Sequence, residues 1–69
     1  MLLKVVGQAI KERRKELGIT QPLLAELSNV SKNTIYKLER GIGNPSLKIL
    51  DKLLEVLGLE LNVGVKQNR

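Results

Sequence analysis

Between Thr20 and Gly41 the chain reads TQPLLAELSNVSKNTIYKLERG, and few folds can use such a stretch. Leu23, Leu24 and Leu27 supply a buried side after Thr20, and Thr34, Ile35 and Leu38 supply another after Ser31. Thr20 and Ser31 carry hydroxyls of the kind that cap helix N-termini. Pro22 falls in a first turn, where its missing N–H costs little. Only Ser28, Asn29 and Val30 are left between the two runs, and Asn29 is the one best able to take a left-handed conformation. The expectation is two short amphipathic helices joined by a tight polar turn. The small Ala25 faces the second helix, which presents Lys32, Asn33, Tyr36 and Lys37.

The flanking segments read as further helices. Leu3, Val6, Ile10 and Leu17, with Ala9, form an apolar stripe of about 14 residues that Gly18 closes. Its other face carries Lys11, Glu12, Lys15 and Glu16, whose mixed signs speak against a membrane-binding helix. Gly41 ends the third helix, Gly43–Asn44–Pro45 is a loop, and Ser46 caps a fourth helix. Leu47, Leu50, Leu54 and Leu57, supported by Ile49 and Leu53, give that helix a wide apolar face, and Gly58 terminates it.

After Gly58 the period changes. Leu59, Leu61, Val63 and Val65 alternate with Glu60, Asn62, Gly64 and Lys66, the pattern of a half-buried strand. A lone strand leaves its backbone groups unpaired and recruits another chain. Its simplest partner is its own copy, antiparallel about a two-fold axis, which makes Leu59, Leu61, Val63 and Val65 the expected dimerisation residues. Two alternatives stand beside this one: an irregular extension packed on the fourth helix, or in-chain pairing with Leu2–Val6. The expected organisation is a domain built on the paired helices over residues 1–58 and a dimerisation strand and tail over 59–69.

Composition narrows the classes. A chain of 69 residues supports one small domain, and a core of that size usually needs a staple. The chain has no cysteine for disulfides and no histidine, so no ordinary zinc or iron site and no cofactor is expected; a partner chain is the expected staple. The first ten residues lack the features of a signal peptide, and no apolar run approaches the roughly 20 residues of a membrane span. The expectation is a soluble cytoplasmic protein with no membrane partner. The net charge is +5, and residues 1–40 carry 8 basic and 4 acidic residues against 4 and 3 in residues 41–69. The excess lies with the paired helices, as a polyanion-binding face requires.

In a helix pair of this kind, the first helix lies across a DNA backbone and the second enters the major groove by its N-terminal turn. Lys32 and Asn33 follow the Ser31 cap, and Lys37 lies one turn further on the same face. Lysine donates to guanine O6 and N7, and asparagine pairs with adenine N6 and N7. Gln21 is placed to meet a phosphate at a helix N-terminus. Ser31, Thr34, Tyr36, Arg40 and Asn44 complete the expected DNA-binding set.

These pieces resemble the Cro/repressor, or XRE, type of helix-turn-helix protein. The resemblance is carried by Arg13–Arg14–Lys15–Glu16–Leu17–Gly18–Ile19–Thr20–Gln21, by Ala25 and Val30–Ser31, by Ile35 and Lys37–Leu38–Glu39–Arg40–Gly41, and by Asn44–Pro45–Ser46–Leu47. It spans residues 6–58. It implies a mainly α, lambda-repressor-like bundle of four to five helices, here joined to one C-terminal β-strand, and sequence-specific binding of a homodimer to a palindromic operator. It also implies a partly buried ion pair between Arg14 and Glu39. Asn29 departs from the glycine common in that turn, and Pro22 stands where a helix former is usual. Leu57–Gly58–Leu59–Glu60–Leu61–Asn62–Val63 is similar to the end of HipB-like antitoxins, which implies a repressor that also restrains a kinase toxin.

The expected function is therefore a DNA-binding transcriptional regulator, a repressor, with an antitoxin role left open. The alternative is a protein-interaction module or antitoxin that holds a partner without reading DNA. An enzyme is disfavoured by the lack of histidine, cysteine, a glycine-rich phosphate loop or a paired-carboxylate cleft. A single-strand RNA binder would need aromatic stacking platforms, and Tyr36 is the one aromatic residue in the chain.

Overall fold

The computed structural model describes residues 2–66. Four helices follow in order: α1 (Leu2–Glu16), α2 (Gln21–Ser28), α3 (Lys32–Glu39) and α4 (Leu47–Leu57). Side-chain hydroxyls start three of them. Thr20 Oγ1 accepts from the Leu23 N–H at 3.2 Å, Ser31 Oγ from Thr34 at 3.1 Å, and Ser46 Oγ from Ile49 at 3.1 Å. Each satisfies an amide that has no partner within its own helix. At the other ends, Asn29 takes the left-handed conformation (φ 59°) and donates its N–H to the Ala25 carbonyl, while Gly58 (φ 68°) closes α4.

α1 packs on α3 and α4, and α2 packs on the same two helices. Val6, Ile10, Leu24, Val30, Ile35, Leu38, Leu53, Leu54 and Leu57 form the buried core. The C-terminal ends of α1 and α4 are tied together by Arg13, whose Nε donates to the Leu57 carbonyl at 2.9 Å. That bond satisfies a carbonyl left over by the end of α4. Ser28 is buried too, and its hydroxyl donates to the Leu24 carbonyl at 2.6 Å.

The structure corrects the expected C-terminal strand. Among the described residues there is no strand and no sheet, and residues 59–66 have no regular secondary structure. The physical reason is the lack of a ladder partner. Leu2–Val6, the in-chain candidate, lies inside α1, and a strand without a neighbour has no hydrogen bonds to hold it. The proposed rungs behave differently from one another. Leu59 donates its N–H to the Leu54 carbonyl at 3.0 Å and packs against the core, whereas Val63 and Val65 are each 93% exposed. The tail is an irregular extension whose beginning is tied to α4. The similarity to HipB-like proteins rested on that strand and loses its structural footing. Several expected core positions are also exposed: Leu17, Leu23, Leu27 and Leu47 all face solvent. Of the leucines of α2, Leu24 alone is buried against the core, and Leu23 and Leu27 lie on sides that no other helix covers. Thr34 is half-buried, with its hydroxyl taken up by the Ser31 cap.

Candidate nucleic-acid interface

α3 sorts its side chains cleanly. Ile35, Leu38 and Glu39 are buried, while Lys32, Asn33, Tyr36 and Lys37, followed by Arg40, are exposed. The spacing of the exposed set, one turn apart in neighbouring pairs, puts them on one face. Lys32 and Asn33 lead this face directly after the Ser31 cap. Ser31 itself is engaged, since its hydroxyl accepts from the Thr34 N–H and donates to Thr34 Oγ1 at 2.7 Å. Its demonstrated work is to start the helix. Tyr36 and Arg40 form a unit: the Arg40 guanidinium lies over the ring, 5.4 Å from its centroid, and Nη1 donates to the phenol oxygen at 3.3 Å.

The charge of this face depends on a group beneath it. Glu39 is the one acidic residue of α3, and it is turned inward against Arg14. Arg14 Nε donates to Glu39 Oε2 at 2.7 Å and Nη2 to Oε1 at 3.0 Å, a bidentate pair. Nη1 of the same guanidinium donates to the Ile19 carbonyl at 2.8 Å. Burial alone would push the Glu39 carboxyl up. Hydrogen bonds from Arg14 and Gln21, with the nearby charges of Arg14 and Lys11, outweigh burial and hold it below its ordinary value. The hydrogen bond to Glu39 raises Arg14 further above its ordinary value, against its own burial. The pair neutralises the acid and leaves Lys32, Lys37 and Arg40 as the charges α3 shows to solvent.

Gln21 sits where α2 begins, half-buried, and its Nε2 donates to Glu39 Oε1 at 3.0 Å. Sequence reasoning missed this bond, because it depends on α2 and α3 meeting at that point. Gln21 is thus held in place by the ion pair, with the second hydrogen of Nε2 left to donate to a phosphate oxygen. Pro22 removes the next amide, and Thr20 takes up those of Leu23 and Leu24. Among the described residues the N-terminus of α2 keeps only the Gln21 backbone N–H free for a phosphate. Asn44 is exposed on the loop after α3, beside a hollow of about 300 Å³ that Thr34, Lys37, Ser46 and Ile49 also line. Among the described residues no group of carboxylates comes together that could hold a metal ion.

Two short helices joined through a left-handed asparagine, the second exposing a polar basic face, define a helix-turn-helix domain. The helix-turn-helix family pattern matches residues 10–63, and the chain belongs to that family, in its XRE-type branch. A protein of Methanothermobacter thermautotrophicus, named an uncharacterized HTH-type transcriptional regulator, is 47% identical over 51 residues, 74% of each chain. A protein of Methanococcus vannielii, provisionally named an HTH-type transcriptional regulatory protein, is 41% identical over 63 residues, 91% of this chain but 19% of that one. The immunity repressor protein of Bacillus phage phi105 is 42% identical over 60 residues, 87% of this chain and 42% of its own. The chain spans about a fifth of the length of the methanococcal relatives it matches.

Proposed function

We propose that this chain is a sequence-specific double-stranded DNA-binding module of a transcriptional regulator, acting as a repressor. The observation that carries the reading is the outward face of α3. It offers Lys32, Asn33 and Lys37 for base edges, with no acidic side chain exposed on that helix. Gln21, Tyr36, Arg40 and Asn44 border it and act on the phosphate backbone, while Ser31 and Thr34 support it from the N-cap. The names of the archaeal relatives and of the phage repressor agree with this reading.

A homodimer on a palindromic operator is part of the same proposal. One such helix reads few bases, and two copies about a two-fold axis double the contacts. What supports a second copy is an exposed apolar cluster of Leu2, Leu47 and Leu61, which meets the Asn44–Pro45 loop around a hollow of about 310 Å³. None of Lys32, Asn33 and Lys37 lines that hollow, so pairing there leaves the reading face of α3 uncovered. The neighbouring rim carries both signs, Lys48 beside Asp51 and Glu55, which a two-fold copy can match with opposite charges.

Selection of bound duplexes from a random DNA pool tests the whole reading. The expected product is a palindrome with half-sites about one helical turn apart, bound with an affinity that falls steeply with salt. Recovery of no sequence above background would defeat it and favour a module that binds protein alone.

A further inference from the structure

α1 meets α3 along one stripe, Lys4, Gly7, Lys11 and Arg14, whose spacing puts all four on one helical face. At its upper end the contact runs through side chains: Arg14 grips Glu39, and the Lys11 charge acts on the same carboxylate. Lower down the contact is with the main chain. A Cβ added to Gly7 would overlap the Leu38 carbonyl oxygen outright, with the carbonyl carbon at 3.0 Å and Glu39 Cα at 3.5 Å. One added to Gly41 would come within 2.8 Å of Lys4 Cγ and 3.3 Å of Lys4 Cα. The last turn of α3 and the residues after it are therefore seated against α1 at two levels.

A glycine inside a helix weakens it relative to alanine, and Gly7 lies in the interior of α1, buried. We propose that Gly7 is a positioning residue for DNA reading. By letting the Leu38 carbonyl rest on the α1 main chain, it sets the depth and tilt at which Lys32, Asn33 and Lys37 are presented. This inference rests on α3 being the reading helix. Any side chain at position 7 meets backbone, not the yielding end of a side chain, so α3 must move as a body. Base-edge hydrogen bonds depend on close geometry and fail under such a shift. The phosphate contacts assigned to Gln21, Tyr36, Arg40 and Asn44 hold the protein on the duplex without reading its sequence, so binding to unselected DNA survives a small shift.

The distinction from ordinary core packing is measurable. A lost core contact lowers the folded fraction without changing what a folded molecule reads. A displaced α3 changes base discrimination in molecules that are folded. The experiment compares the unaltered chain, Gly7→Ala and Val56→Ala, the last a packing change on α4, outside the α1–α3 seam. Thermal melts first establish a temperature at which all three are folded. Dissociation constants are then taken for the duplex selected by the unaltered protein and for a scrambled duplex of equal length.

Gly7→Ala should lower the preference for the selected duplex by about tenfold or more. Its affinity for the scrambled duplex and its salt slope should hold within about twofold, and Val56→Ala should keep the full preference. Three results overturn the proposal: undiminished preference in folded Gly7→Ala, an equal loss in Val56→Ala, or a Gly7→Ala chain that folds at no temperature. The last would make Gly7 a requirement of the fold and not of reading. If the unaltered protein selects no duplex, the reading of α3 itself fails, and that is seen before any variant is made.

Discussion

At the scale of single residues, the Arg14–Glu39–Gln21 cluster joins stability to function. One carboxylate takes two bonds from Arg14 and one from Gln21, so the same group anchors α1 to α3 and fixes the start of α2. Removing one partner leaves a buried charge unpaired, and Arg14→Ala or Glu39→Ala should cost about 3–5 kcal/mol, read by urea or thermal unfolding. Replacing both with apolar residues of similar volume should recover much of that loss. Acid sensitivity follows from the same site. Glu39 has a lower pKa folded than unfolded, so its contribution is complete above the ordinary glutamate value of 4.5. It is lost as the pH falls below that value and through the folded one. A Glu39→Gln protein should therefore start less stable at neutral pH and lose less on acidification, in melts followed from pH 7 downwards. On the outward face, Lys32→Ala and Asn33→Ala should each cost about 1–3 kcal/mol at the selected duplex while leaving the melting temperature nearly unchanged, since both side chains are exposed. Normal binding by both variants would mean that another surface reads DNA.

At the scale of elements, the turn between α2 and α3 decides whether the two helices meet at all. Asn29 holds φ at 59°, a conformation that glycine takes freely and most other residues resist. Asn29→Gly should accordingly be neutral or slightly stabilising, whereas Asn29→Val should cost about 1–2 kcal/mol, both read in the same melts. The elements themselves could be read from the chain because their determinants are local. Apolar spacing, three hydroxyl caps and the Asn29 and Gly58 stops lie within a few residues of the ends they define. Burial was harder to read. Leu23, Leu27 and Leu47 fit a helical apolar stripe but face solvent, because how wide a face is covered depends on what packs against it.

At the scale of the whole molecule, the proposed function calls for two partners, DNA and a second copy. The exposed cluster at Leu2, Leu47 and Leu61 provides a check on the second. Leu47 is 74% exposed, so Leu47→Glu should leave the fold intact. By sedimentation equilibrium the unaltered protein should dimerise and the variant should stay monomeric. The variant should also bind a full palindrome no better than a half-site. A monomeric unaltered protein would remove the dimer while leaving half-site recognition standing.

By itself the sequence determined four helices, their caps, the tight turn and the polar face of α3, since each rests on interactions between residues close in the chain. Only the tertiary structure decided the rest. The alternation from Leu59 to Lys66 satisfied the local condition for a strand, but a strand exists through a neighbour, and Leu2–Val6 is committed to α1. The link from Gln21 to Glu39, the Arg13 bond to the Leu57 carbonyl and the seat of Leu38 on Gly7 likewise join residues distant in sequence. Such contacts form only once the helices have crossed, so no local pattern announces them.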